Sequence, residues 1–147
     1  MVLLCHDAEN QKLKNQVLVD VFLAREKDAG RLEHHLQPKD KRMVIHDHCH
    51  QKALYGTQSM KKLMGNANQV MEIPSGCCGM AGSFGYEKEH LELLRKIGEE
   101  ILFPAVRKLE AGDSLAACSF SCRHQIDHFT GKKAGHWVEL VEVVKDE

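Results

Sequence analysis

Short apolar runs alternate with amphipathic stretches along this chain, and that alternation sets the expected fold. Residues 2–5 read as a short edge strand. Leu13, Val17, Val21 and Ala24 then recur at helical spacing, with Gly30 as a helix stop. Pro38-Lys39-Asp40-Lys41 reads as a turn into Met43-Val44-Ile45-His46, a buried strand that ends in His48-Cys49-His50. Residues 52–64 fit an amphipathic helix through Leu54, Met60, Leu63 and Met64, closed by Gly65-Asn66. A second strand over residues 69–73 delivers the chain into a glycine-rich loop. From Glu87 the pattern predicts a long helix with Leu91, Leu94, Ile97, Ile101 and Leu102 toward the core. Pro104 lacks an N–H, so a kink or restart is expected there, and an end at Gly112. Ser114-Leu115-Ala116-Ala117 forms a third strand, and residues 136–141 a final strand or short helix. Strands alternating with helices predict an α/β domain: a small, mostly parallel sheet flanked by helices.

The cysteines sit at regular places in this pattern. Cys49 follows the first long apolar strand, Cys77-Cys78 the second, and Cys118 and Cys122 the third. In open parallel sheets ligands bind in the crevice beyond the carboxyl ends of the strands, so these groups are expected to converge on one rim. Neighbouring side chains on an extended segment point in opposite directions, which makes two adjacent cysteines a poor core pair. In Pro74-Ser75-Gly76-Cys77-Cys78-Gly79-Met80-Ala81-Gly82-Ser83-Phe84-Gly85 the glycines free the backbone to wrap a metal and bring both sulfurs to it. Thiolates are soft anions that suit zinc and iron–sulfur clusters. Their mutual repulsion calls for compensation by the metal, by loop N–H groups and by the positive end of a helix starting near Glu87. Sulfurs from three separate segments suit a cluster better than a compact zinc finger.

Composition narrows the classes. At 147 residues and 43% hydrophobic content the chain fits one cysteine-rich domain over residues 1–147. A net charge of −1 points to no nucleic-acid partner and no polybasic membrane patch. Runs such as Ile101-Leu102-Phe103 fall far short of the ~20 apolar residues of a membrane span. The first five residues are too short, and lack the basic flank, for a signal peptide. A cytoplasmic protein is expected, membrane-associated only through a partner. Six cysteines then favour metal or redox chemistry over a disulfide framework.

Blander readings stand beside these. Cys5 reads as incidental. Cys77-Cys78 is alternatively a structural vicinal pair, and Cys77-Cys78 or Cys118 with Cys122 a thiol–disulfide couple. By strand parity His46, His48 and His50 share one face, with Cys49 on the other. They offer a nitrogen ligand, a proton or hydrogen bonds, and His48 and His50 are the candidates to complete a metal site. Arg123 and His124 are placed to support Cys122 as hydrogen-bond donors. Phe84 and Tyr86 are expected to pack over the loop, and Glu87, Glu89 and Glu92 to form a solvated helix start.

The order of a lone cysteine, a distant Cys-Cys-Gly and a terminal cysteine pair resembles the cysteine-rich CCG domain. That domain occurs in the B subunit of heterodisulfide reductase, in the C subunit of anaerobic glycerol-3-phosphate dehydrogenase and in glycolate oxidase iron–sulfur components. The pattern is most similar to the C-terminal part of fused flavin and iron–sulfur oxidases of 2-hydroxy acids. Residues 48–54, 73–87 and 102–106 carry it, with Ser121-Cys122-Arg123-His124-Gln125-Ile126, and a weaker likeness covers residues 22–26. The resemblance implies that Cys49, Cys77, Cys78 and Cys122 ligate a metal, as a [4Fe-4S] cluster of non-cubane type or as zinc. It implies a fifth ligand too, but Cys118 and Cys122 stand one residue further apart than the family's Cys-x-x-Cys. Cys118 is retained as a candidate. No dinucleotide-binding glycine pattern and no ferredoxin cysteine run is present. The chain is therefore expected to be a subunit or excised fragment, inactive alone. FAD is expected only in a partner, a flavin-containing dehydrogenase domain or subunit, beside a ferredoxin-type iron–sulfur domain. The alternative is a zinc-stabilised docking domain without a redox role.

Overall fold

The computed structural model describes residues 17–64 and 67–145. The strand expected at residues 2–5, together with Cys5, Leu13 and the Gly65-Asn66 helix stop, lies outside the described residues. Three strands, β2 (Arg42–His46), β3 (Val70–Glu72) and β4 (Asp113–Ala117), form a parallel sheet in the order β3-β2-β4. Met43 is paired with Val70 on one side and with Ser114 on the other. The central strand is buried on both faces, which is why its sequence is a continuous apolar run rather than an alternation.

Period-2 geometry sends successive side chains of β2 and β4 into two different cores. Val44, Leu115 and Ala117 pack with Leu94, Leu102, Phe103, Val106 and Ile126. Those last residues come from α4 (Leu91–Glu100), α5 (Leu102–Arg107) and α6 (Phe120–Thr130). Met43, Ile45 and Ala116 pack on the other side with Ala24, Met60, Leu63 and Trp137. Ala24 belongs to α1 (Val19–Asp28), and Met60 and Leu63 to a helix that precedes β3. The open edge of β4 is covered by residue 135, where Gly135 N–H donates to Leu115 and its carbonyl accepts from Ala117, both at 2.9 Å.

Three expectations need correction. The helix expected over residues 52–64 is two, α2 (Cys49–Leu54) and α3 (Gln58–Leu63). Gly56 between them has φ 69°, a left-handed conformation that ends the first helix. The long helix expected from Glu87 starts only at Leu91, after a 3-10 turn over Phe84–Tyr86. It breaks at Ile101 (φ −139°), three residues ahead of Pro104, which sits in the first turn of α5 where its missing N–H costs nothing. Leu91 and Ile101 face solvent as a result, while Leu94 and Leu102 are buried. The third correction is an added element. His34–Pro38 forms a strand, β1, paired antiparallel with β5 (Val141–Lys145), so a two-stranded ribbon lies beside the sheet.

Candidate metal centre

All three cysteine-bearing segments leave the sheet at its C-terminal edge. β2 ends at His46, and Cys49 opens α2. β3 hands over through Ile73, whose N–H donates to the Ile45 carbonyl at 2.8 Å, and the chain turns into the cysteine loop. β4 ends at Ala117 and leads through Cys118 into α6, which carries Cys122 in its first turn. The loop needs glycine at residue 79, where φ is 90° and an added Cβ would press on Ile97 and Leu94 at 3.2–3.3 Å.

Two of the thiols meet there, and two more bear on them. Cys78 and Cys122 are buried in the helix-side core with their sulfurs 3.3 Å apart. Cys49 is half-buried, and exposed Cys77 and buried Cys78 both bear on it and hold its thiol up. The surroundings fix the loop. Gln125, fully buried, donates Nε2–H to the Cys78 carbonyl at 2.6 Å. Lys52 Nζ donates to the Ser75 carbonyl at 3.0 Å and ties α2 to the loop. Gly79 N–H donates to Cys77 Sγ at 3.3 Å. Arg123 does not reach Cys122; it donates to the carbonyls of Ala117 and Cys118 at 3.0 and 3.3 Å.

Without a metal the pocket favours few negative sulfurs. The Cys122 thiol donates to Cys78 and, against the cost of burial, holds the Cys78 thiol down at about 4, helped by His46 and the Met80 N–H. Cys122 moves the opposite way, since its proton is committed to Cys78 and it is buried. Burial, and then the nearby Cys77, raises Cys49. Two buried sulfurs held 3.3 Å apart, with Cys49 bearing on both, are donors that suit a soft or borderline metal, which would let them be anionic at once. The residues present fit such a group. The helix expected to start near Glu87 begins four residues later, at Leu91.

His46 joins this group, and sequence parity alone did not single it out. It is 1% exposed. One ring nitrogen, Nδ1, lies 2.7 Å from Ser75 Oγ. A ring nitrogen of His46 and the sulfurs of Cys78 and Cys122 all lie within 4.8 Å of one another. The three-histidine alternation breaks down because β2 stops at His46 and the chain turns helical at Cys49. His48 and His50 instead meet edge to face, ring centres 5.2 Å apart, and line a cleft of about 360 Å³ with Tyr55, Cys118 and His136. Burial and then His50 lower the His48 pKa.

Cys118 lies on the other side of the sheet. It packs against the core of Met43, Ile45 and Ala116. Burial pushes its thiol up to about 12, reinforced by the carboxylates of Asp47 and Asp20. Asp47 follows His46 by one residue; it is fully buried, and neither carboxylate oxygen has a hydrogen-bond partner among the described residues. Phe84 stacks on His90 at 3.7 Å, and Tyr86 packs against the helix-side core, edge-on to His124 at 5.2 Å.

A chain with this sheet-edge cluster is similar in sequence to parts of dehydrogenases. It is 27% identical over 140 residues to the C subunit of anaerobic glycerol-3-phosphate dehydrogenase from Escherichia coli strain K12, covering 92% of this chain and 34% of that protein. It is 36% identical over 67 residues to the D-2-hydroxyglutarate dehydrogenase of Pseudomonas putida, covering 46% of this chain and 6% of that enzyme. The Haemophilus influenzae D-2-hydroxyglutarate dehydrogenase matches 98% of this chain at 27% identity, over 13% of its own length. The chain thus spans about a third of the glycerol-3-phosphate dehydrogenase component it matches and far less of the larger enzymes. These relatives are the ones the cysteine pattern resembles, a component of a glycerol-3-phosphate dehydrogenase and dehydrogenases of a 2-hydroxy acid. No family model matches the chain, and no solved structure does. Among the described residues no helix is long and apolar enough to cross a membrane.

Proposed function

We propose that this chain is the metal-binding electron-transfer module of a larger flavin-dependent oxidoreductase acting on a 2-hydroxy acid or glycerol 3-phosphate. It does not oxidise the substrate alone. The observation that carries this reading is the pair of buried sulfurs of Cys78 and Cys122, 3.3 Å apart beyond the carboxyl edge of one parallel sheet, with Cys49 close enough to bear on both and Cys77 on Cys49. These four residues would hold a [4Fe-4S] cluster of non-cubane type. A bound cluster supplies one-electron chemistry at a potential set by its ligands, hydrogen bonds and exposure. The protein's part is to hold the sulfurs, to aim N–H groups of Gly79 and Met80 at them, and to keep Cys78 and Cys122 from water. Electrons would arrive from a flavin-bearing domain or subunit and leave toward a ferredoxin-type domain, in the cytoplasm or at a membrane reached through a partner.

Anaerobic reconstitution with ferrous iron and sulfide tests the reading. The expected product is brown, carries iron and sulfide, and shows a paramagnetic signal in one oxidation state. A colourless protein that holds stoichiometric zinc through exposure to iron would replace it with a zinc-stabilised docking domain.

A further inference from the structure

We propose that His46 is the fifth donor of the thiolate centre, binding through Nε2 in the place that the cysteine spacing gives to Cys118. The inference rests on the metal-centre reading above and deepens it. Strand geometry is the first reason. Side chains along β2 alternate between two cores, and His46, two residues after Val44, falls on the side that holds Cys78 and Cys122. Cys118, two residues after Ala116, falls on the opposite side with Met43 and Ile45.

The ring's own bonding is the second reason. Histidines that bind metals almost always donate the other ring N–H to a fixed acceptor, which sets tautomer and orientation. His46 has that acceptor in Ser75 Oγ at 2.7 Å. Ser75 is itself buried, and its carbonyl accepts from Lys52. In the tautomer where Nδ1–H donates to Ser75, Nε2 presents a lone pair. Nε2 is buried and, among the described residues, has no nitrogen or oxygen hydrogen-bond partner; the ring bears instead on the Cys78 sulfur. A buried polar atom left this way is destabilising, so its retention calls for a ligand.

Charge is the third reason. A thiolate at Cys118 would form beside Asp47 and Asp20, where like charges oppose it. A neutral imidazole joining four thiolates adds no negative charge. Substituting nitrogen for sulfur raises the potential of an iron–sulfur centre relative to an all-sulfur set.

The test uses the whole chain, labelled with ¹⁵N-histidine or unlabelled, reconstituted anaerobically with ferrous iron and sulfide and examined by pulsed electron paramagnetic resonance. The expected result is a strong nitrogen coupling that changes with the isotope. It survives in Cys118→Ser and His48→Ala, which keep their full iron content, and is lost in His46→Ala. The isotope comparison on unaltered protein stays decisive even where His46→Ala fails to fold. Iron without a strong nitrogen coupling, a coupling that survives His46→Ala, or iron lost in Cys118→Ser would overturn the assignment and leave the thiolate centre standing. Unaltered protein that takes up no iron would remove both.

Discussion

The two faces of the three-stranded sheet differ more in chemistry than their shared strands suggest. His46 and Asp47 are neighbours in sequence, as are Ala117 and Cys118, yet each pair divides between the faces. The α4–α6 side gathers soft donors: the sulfurs of Cys78 and Cys122 with the ring of His46. The α1–α3 side holds hard, anionic groups, with Asp47 and Asp20 bearing on the Cys118 thiol. A thiolate centre is favoured on the first side, where loop N–H groups and the His46 ring offset the sulfur charge. It is disfavoured on the second, where carboxylates add to it. Proximity along the chain therefore says little about membership of the site; strand parity says more.

The largest expected effect that tests this contrast is on metal retention. Cys78→Ser or Cys122→Ser should abolish iron uptake on reconstitution, whereas Cys118→Ser keeps full iron content by colorimetric assay. Equal loss in all three would erase the distinction between the faces. Next comes packing. Phe103, fully buried beneath the site, should cost about 3–5 kcal/mol on truncation to alanine, measured by urea unfolding of the metal-free protein. Met60→Ala in the opposite core should cost a similar ~2–5 kcal/mol, with iron binding kept under native conditions.

The metal-free protein should also carry a pH signature from the Cys78–Cys122 pair. Cys78 titrates at about 4 against about 9 for an ordinary cysteine, while Cys122 is raised. Between these pH values the folded pair holds one proton and the unfolded pair two, so stability rises with pH across this window. Above about 9 the unfolded pair loses both protons while the folded pair keeps one, so the pair's contribution falls again. Denaturant midpoints of unaltered and Cys78→Ser protein across this range should differ in slope, and parallel curves would contradict the coupling. The opposite face should slope the other way. Asp47 is raised to about 6, by burial first and then by Glu72, so its contribution falls as pH rises from about 4 to about 6; Asp47→Asn should flatten that segment. The smallest effect belongs to the far edge of the sheet. Arg42 pairs with Asp113 through two contacts of 2.6 and 3.0 Å, and Arg42→Ala should shift the urea midpoint least of these variants and leave iron binding unchanged.

Much of this site was legible in the sequence because it depends on rules of short range. The strands β2, β3 and β4 announce themselves as apolar runs, and the carboxyl-edge rule then points to the rim where Cys78 and Cys122 meet. The β1–β5 ribbon was not legible. His34-His35-Leu36-Gln37-Pro38 has no strong alternation, and its partner lies about a hundred residues away, with His34 opposite Lys145. Its stability comes from that pairing, not from local propensity. The role of His46 was obscured by extending strand parity past the strand's end, so His46 was grouped with His48 and His50. The split of α2 from α3 had a signal in Tyr55-Gly56-Thr57, outweighed by the apolar spacing of Leu54, Met60 and Leu63.

Anomalous diffraction at the iron edge, from crystals grown anaerobically after reconstitution, tests the central claim most directly. The account predicts one strong peak within bonding distance of the sulfurs of Cys49, Cys77, Cys78 and Cys122, on the α4–α6 side of the sheet. A peak among His48, His50, His136 and Cys118 would contradict it, as would iron-free density with Cys77 or Cys78 locked in a disulfide.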